Sequence, residues 1–399
     1  MPQRSGRGLD WFVFFVADVQ TGFGPFIAVY LTSQKWTQVD IGFILTVGGL
    51  ISLFGQIPGG ALLDRMQSPR RAAAIAVSLI CLSALILALW PTYPGVLLSR
   101  ILQAGASCVL GPAIAALSLG LVPRHRIGDR FGRNAAFASV GTGLAAAVMG
   151  FVGYYVSNQA VFFVTALLGV PALLALFQIK REHIDVTRSH GGVAAKLSSF
   201  ADAIKIATSH RIIFIFAGCV FLFHLANAAV LPLIASGFTL RSSSIATPLT
   251  AAAMVIPQFI VALTSPVVGR LTSSIGRRPL LLTGFGALVI RIMLTAQITD
   301  PAMIVAVQIF DGIAAAVLGV LVPVTVADIT RNMGHFNLVQ GIVACAMGIG
   351  AAISTTMAGY LADRFSTYTA FLALDVIALV GLLAIWVGMP ETRPDDDQS

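Results

Sequence analysis

Runs of about 20 apolar residues recur along the whole chain, and this recurrence restricts the fold more than any motif does. A helix rises ~1.5 Å per residue, so about 20 residues cross the ~30 Å hydrocarbon core of a bilayer. Such runs fall at about 11–33, 38–63, 71–90, 94–122, 133–156, 159–179, 211–236, 246–269, 279–299, 301–330, 336–362 and 368–389. Backbone polar groups find no water in hydrocarbon, so only helices and closed barrels span it. These runs are continuous and rich in Ala, Leu and Gly rather than short and alternating, which selects helices. A composition 57% hydrophobic and only 11% charged agrees, since soluble domains carry roughly a quarter charged residues.

The chain opens MPQRSGRGLD, and the apolar stretch that follows contains Asp18, reaches spanning length and offers no small-residue cleavage site. The first helix is therefore expected to stay in the mature protein. With both termini in the cytoplasm, only Lys35, Arg241 and Arg364 fall outside, and Arg100 and Arg291 lie within spans. The rest of the 25 lysines and arginines are cytoplasmic. That asymmetry satisfies the positive-inside rule, and it predicts a multi-pass protein of the cytoplasmic (inner) membrane. The net charge of +8 is then a topology signal, and no nucleic-acid partner is expected.

Cys81, Cys108, Cys219 and Cys345 all fall inside predicted helices, with no CxxC and no His at ligand spacing. They read as small buried hydrophobes. No nucleophile and base stand at useful spacing, and there is no metal-ligand motif, so neither an enzyme nor a resident metal or cofactor is expected.

The two halves repeat. FGPFIAVYL and VLPLIASGF align at Pro25 and Pro232, SCVLGPAIA and AAVLGVLVP at Gly111 and Gly319, and RIGDRFG and NMGHFNL at Gly128 and Gly334. The three offsets agree within two residues, which points to a six-helix unit duplicated in parallel. The expected fold is an all-α membrane protein, with twelve transmembrane helices in two pseudosymmetric six-helix bundles over 1–180 and 210–399. The polar KREHIDVTRSHGG opens a cytoplasmic linker over 181–209, where Leu197, Phe200, Ala201 and Ile204 recur at the spacing of a short interfacial helix.

On these features the chain resembles the major facilitator superfamily over nearly its whole length. That family's loop between helices 2 and 3 reads G-x-L-x-D-R-x-G-R-R. Here GALLDRMQSPRR keeps Gly60, Leu62, Asp64 and Arg65, but lacks the second glycine and displaces Arg70 and Arg71. The repeat-mate loop GRLTSSIGRRPL keeps Gly269, Leu271, Gly276, Arg277 and Arg278, and has Ser273 and Ser274 in place of the Asp-Arg pair. A carboxylate offered to a helix N-terminus and arginines offered to carbonyls would latch the cytoplasmic side. The expected latch set is Gly60, Asp64, Arg65, Gly269, Arg277 and Arg278. A second family pattern, R-x-x-Q-G, appears as RILQAG with Arg100 and Gln103 in place, and in related exporters that arginine goes with proton coupling. The Gly-Pro pattern of antiporters in helix 5 is absent from GTGLAAAVMGFVGYY.

The resemblance implies that helices 1, 4, 7 and 10 line a central cavity. Asp18, Arg100, His224 and Asp311 then fall one on each, and ionisable groups inside a membrane are costly enough to mark function. Counting helix rise puts His224 at ~20 Å and Asp311 at ~15 Å from the cytoplasmic edge, near enough to meet. Asp18 at ~12 Å and Arg100 at ~21 Å are too far apart for an expected bridge. Gln20 and its repeat mate Asn227 join the candidate substrate and proton set with Gln103, while Gly22, Gly24 and Pro25 suggest a bend. Arg291 and Asp375, on outer helices at ~18–19 Å, are expected to form a structural ion pair. Phe12, Phe14, Phe15, Phe221 and Phe223 read as core or lipid-facing residues. The expected protein is a monomeric secondary transporter working by alternating access in the lipid bilayer, moving a small-molecule substrate by proton-coupled export. The alternatives are proton-coupled uptake of an organic acid, metal-ion export and a non-transporting membrane sensor.

Overall fold

The computed structural model describes all residues except 1–2, 22, 24, 37, 67, 190–209, 242, 332–334 and 394–399. Its N-terminal helices are α1 (Gln3–Thr21), α2 (Pro25–Ser33), α3 (Gln38–Arg65), α4 (Pro69–Leu89), α5 (Tyr93–Leu121), α6 (Ile127–Tyr155), α7 (Ala160–Phe177) and the short α8 (Val186–Ser189). There follow α9 (Arg211–Asn227), α10 (Val230–Arg241), α11 (Ser243–Ile275), α12 (Arg277–Gln297), α13 (Pro301–Val307), α14 (Ile309–Ile329), α15 (Phe336–Arg364) and α16 (Thr367–Gly388). No strand occurs among the described residues. Among the described residues, eleven helical stretches are long and apolar enough to span a membrane. The first expected span, α1 with α2, is interrupted and carries Arg4, Arg7, Asp10 and Asp18.

The interruptions have local causes. Proline supplies no N–H to the carbonyl four residues earlier, and its ring crowds that carbonyl. Pro25 can offer no N–H to the Thr21 carbonyl, where α1 ends, and Pro232 none to the Ala228 carbonyl, where α9 gives way to α10. The duplicated prolines thus break both repeat-mate helices at the same step. The α13–α14 break has no proline. Gln308 stands at it, and its side-chain amide donates to the Ile304 carbonyl at 2.8 Å, competing with the backbone ladder.

Two compact units result. One holds 1–127, 137–200 and 330–341; the other holds 128–136, 201–329 and 342–399. In the first, α4 packs on α5, α3 on α5, α1 on α7 and α4 on α7. In the second, α12 packs on α14, α11 on α14, α9 on α16 and α12 on α16. These four pairings correspond helix by helix, which the duplication requires. Small residues allow the close approach: α4 buries Ala73, Ala76, Ala84 and Ala88. The faces turned outward carry Phe54, Leu89, Leu174, Phe259 and Trp386, each more than half exposed, as a lipid-facing surface requires. Cys81, Cys108, Cys219 and Cys345 are free thiols.

Residues 183–189 are tied to the first unit. Asp185 N–H donates to the Gly120 carbonyl at 2.9 Å, Arg188 reaches the Val122 carbonyl at 3.2 Å, and Ser5 Oγ lies 2.7 Å from His183 Nδ1. The expected interfacial helix at 197–204 lies outside the described residues, as do Gly22 and Gly24.

Candidate functional site

Asp18 sits three residues before the end of α1 and is 3% exposed. Its Oδ1 is buried with no hydrogen-bond partner, and no donor or cation among the described residues reaches the carboxylate. It faces α6 at Gly141, where a β-carbon would lie 2.5 Å from the Phe14 carbonyl oxygen and 3.0 Å from Asp18 Oδ1. Glycine is what lets the two helices close on this carboxyl. The repeat mate behaves alike: a β-carbon on Gly350 of α15 would lie 2.5 Å from the Phe221 carbonyl oxygen and 3.4 Å from His224 Cβ. Pseudosymmetry therefore gives His224 nearly the station of Asp18. Its ring packs edge-on to Phe223, with centroids 5.4 Å apart.

On α5, Arg100 Nη1 donates to Gln103 Oε1 at 2.5 Å, and the Gln103 amide donates to Ser107 Oγ at 3.2 Å. The Arg100 guanidinium lies against Gly48 of α3, where a β-carbon would clash with it. The expected Arg100 and Gln103 pair is thus brought together.

The second unit holds a network that differs from expectation. Arg291 of α12 is 1% exposed. It bonds Asp311 Oδ1 at 2.7 Å, Asn227 Oδ1 at 2.5 Å and Gln308 Oε1 at 3.0 and 2.7 Å. Its partner is therefore Asp311, and the expected Arg291–Asp375 pair is corrected. Equal depth sets the height of two residues but not the direction each faces. Asp375 is 9% exposed with Oδ1 unpartnered. Asp311 meets Arg291 rather than His224. Asn227 and Gln308 stand at the two helix breaks, so the guanidinium ties together the side chains at both. Gln308, a lone amide in an apolar run, was the visible signal for this site.

A cavity of about 410 Å³ opens on the first unit. Its apolar wall comes from Val13, Val16 and Ala17 of α1, Ile114 of α5 and Ala138 of α6; its polar residues are Gln20, Thr21 and Thr142. Of the expected site residues only Gln20 lines it. Thr142 had no signal in sequence.

At the loop ends, Asp64 accepts from Leu338 N–H at 2.9 Å and from the Asn337 side-chain amide at 2.7 Å. It caps the first turn of α15, where carboxylates are favoured by the helix dipole. In the repeat-mate loop, Ser273 and Ser274 only bond back to the Arg270 and Leu271 carbonyls. Arg277 instead pairs with Asp328 at 2.7 Å and donates to the Thr272 carbonyl at 2.8 Å. Arg278 reaches the Trp386 carbonyl. The capping carboxylate there is Glu391, which accepts from the N–H groups of Arg277 at 2.8 Å and Arg278 at 3.0 Å. Gly276, at φ 97°, leaves room for it. Neither Asp328 nor Glu391 was expected, because both come from elements distant in sequence.

Burial alone would raise the Glu391 carboxyl, but backbone N–H groups of Arg277, Arg393, Arg278 and Thr392 together hold it below its ordinary value of 4.5. A carboxyl lowered in the folded state adds stability that is fully present above that ordinary value and is lost as pH falls through the lowered one. Glu391 is exposed, so solvent screens the effect. Glu391→Gln is expected to melt about 1–2 °C below wild type at pH 7. The gap should close on acidification below the ordinary glutamate range. A gap unchanged in acid would assign the loss to something other than charge.

A duplicated bundle of membrane-length helices, with broken helices and buried ionisable groups at the breaks, defines a secondary-transporter fold. Residues 11–260 and 216–399 match the family model of the Major Facilitator Superfamily. The chain belongs to the major facilitator superfamily and is a transporter of that family. It is 34% identical over 402 residues to an uncharacterised MFS-type transporter, Rv2456c, from Mycobacterium tuberculosis strain H37Rv, covering 99% of this chain and 96% of that one. The MT2531 protein of strain CDC 1551 matches equally. In fold it is similar to the E. coli fucose:proton symporter FucP, with a TM-score of 0.75 at 15% identity over 95% of this chain and 97% of that one. The proton:xylose symporter XylE superposes with a TM-score of 0.71 at 16% identity over 98% and 95%.

Proposed function

We propose that the chain exports a small molecule across the cytoplasmic membrane by proton antiport, both termini being cytoplasmic, and that Asp18 carries the coupled proton. The observation that carries this reading is the buried Asp18 carboxyl, without partner, one turn before the break between α1 and α2. An ionised carboxylate taken out of water without a cation or donor is costly. This environment tolerates the neutral acid, and water or movement at the break would favour the ion. A group whose two charge states suit two conformations can couple proton flow to rocking. The structural neighbours FucP and XylE are proton symporters, which supports proton coupling and leaves direction to experiment. The export reading follows the Arg100–Gln103 pattern. Organic-acid uptake stays the second reading: Arg291 is paired with Asp311, while Arg100 meets only the neutral Gln103 and keeps its Nε without a partner. Metal export is disfavoured because no three His, Cys, Asp or Glu converge among the described residues.

The test uses everted membrane vesicles energised by respiration, with a pH-sensitive fluorophore and a panel of solutes added singly. Wild type should release protons on addition of its substrate. Asp18→Asn should release none at equal protein yield, because the amide keeps the shape and cannot ionise. Solute-linked proton release retained in Asp18→Asn would remove Asp18 from the coupling mechanism.

A further inference from the structure

We propose that the cavity on the first unit binds an uncharged, mainly apolar solute bearing one hydrogen-bonding group, and that Gln20 and Thr142 recognise that group. Its role in transport rests on the function proposed above. The volume of about 410 Å³ is that of an ordinary small-molecule site. Val13, Val16, Ala17 and Gln20 recur at i, i+3, i+4 and i+7, so they form one stripe along α1, and Ile114 of α5 extends the apolar wall. No charged side chain among the described residues lines the cavity.

Of the three polar residues, Thr21 already donates its hydroxyl to the Ala17 carbonyl at 2.8 Å. The Gln20 amide and the Thr142 hydroxyl bond no described residue. Together they offer a donor and an acceptor within an apolar surface, enough to orient one carbonyl, amine or hydroxyl. A sugar brings several hydroxyls that this wall would leave unpaired, and unmade hydrogen bonds discriminate strongly. A carboxylate would meet no cation. Asp18 does not line the cavity and turns to Gly141 instead. Solute and proton therefore occupy different faces of α1 and do not compete for one carboxylate.

The test is saturable binding of N-phenyl-1-naphthylamine, an uncharged apolar fluorophore with one N–H, to purified full-length protein in detergent. Gln20→Ala and Thr142→Val should each weaken binding about 5- to 10-fold, and Thr142→Trp should abolish it by filling the space. Thr142→Val is close to isosteric, so it keeps the proposal falsifiable if the tryptophan variant fails to fold. D-glucose and benzoate in 100-fold excess should not displace the probe. Unchanged affinity in Thr142→Val and Gln20→Ala, displacement by glucose or benzoate, or no saturable binding would overturn the proposal. If a charged or polyhydroxylated solute drives Asp18-dependent proton release in vesicles, the antiport reading stands and this one falls. If the probe binds as predicted while Asp18→Asn retains coupling, the reverse holds.

Discussion

Arg291→Met should lower the melting temperature by about 5 °C, or remove the monodisperse protein altogether. The guanidinium makes four hydrogen bonds to Asp311, Asn227 and Gln308, and its removal strands Asp311 beside two amides in a low-dielectric setting. Breaking a buried ion pair from one side costs about 3–5 kcal/mol, more than the pair itself contributes. In a chain of this size each kcal/mol moves the midpoint by a degree or two, somewhat less than in smaller proteins. Asp311→Leu alone should cost at least as much, since it strands a guanidinium 1% exposed, whereas Arg291→Met strands a carboxylate that keeps 21% exposure. The double variant should recover part of the loss, because two apolar side chains leave no unpaired charge. Asp375→Asn should be nearly silent in the same melting assay, for it has no partner to lose. Additive losses at Arg291 and Asp311, or a large loss at Asp375, would show that the pairing is not the one that matters.

This pair also marks the boundary of what the sequence could reveal. The spans were legible because a membrane imposes one length on each apolar run. The duplication was legible because Pro25 and Pro232 stand at matching positions of two apolar runs, and each withholds a backbone N–H from the helix there. Asp18 and Arg100 stood out by charge alone. The direction in which a side chain faces was not legible, because rise along a helix gives depth while azimuth depends on how neighbours pack. Arg291 was therefore assigned the wrong aspartate at nearly the right depth. Asp18 was placed on the correct helix, but its turn toward Gly141 and away from the cavity needed the structure. The caps on α12 and α15 were half visible. Asp64 lies in a motif, while Glu391 reaches its helix from 114 residues away, a separation that no local pattern encodes.

The close crossing at Gly60 supplies the other large expected effect. A β-carbon there would sit 2.1 Å from the Asn337 carbonyl oxygen and 2.8 Å from its carbon. These are backbone atoms of the helix start and cannot rotate aside, so Gly60→Ala must push α3 and the first turn of α15 apart by about an ångström to restore van der Waals separation. Asp64 lies one turn along the same face of α3, so the displacement also draws its carboxylate off Leu338 N–H and Asn337. Gly60→Ala should therefore cost more than Asp64→Asn, which leaves one acceptor in place. Adding Asp64→Asn to Gly60→Ala should cost little more, since that cap is already lost. Gly269→Ala repeats the experiment in the other unit, its β-carbon lying 2.4 Å from the Gly128 carbonyl oxygen. Gly49→Ala on α3 is the control: nothing lies within 4 Å of its β-carbon, and alanine should be neutral or up to ~1 kcal/mol stabilising there. Melting curves of the five variants decide the matter. If Gly60→Ala melts with Gly49→Ala, the crossing has slack and the cap does not depend on it; if Gly60→Ala and Asp64→Asn add in full, the two act separately.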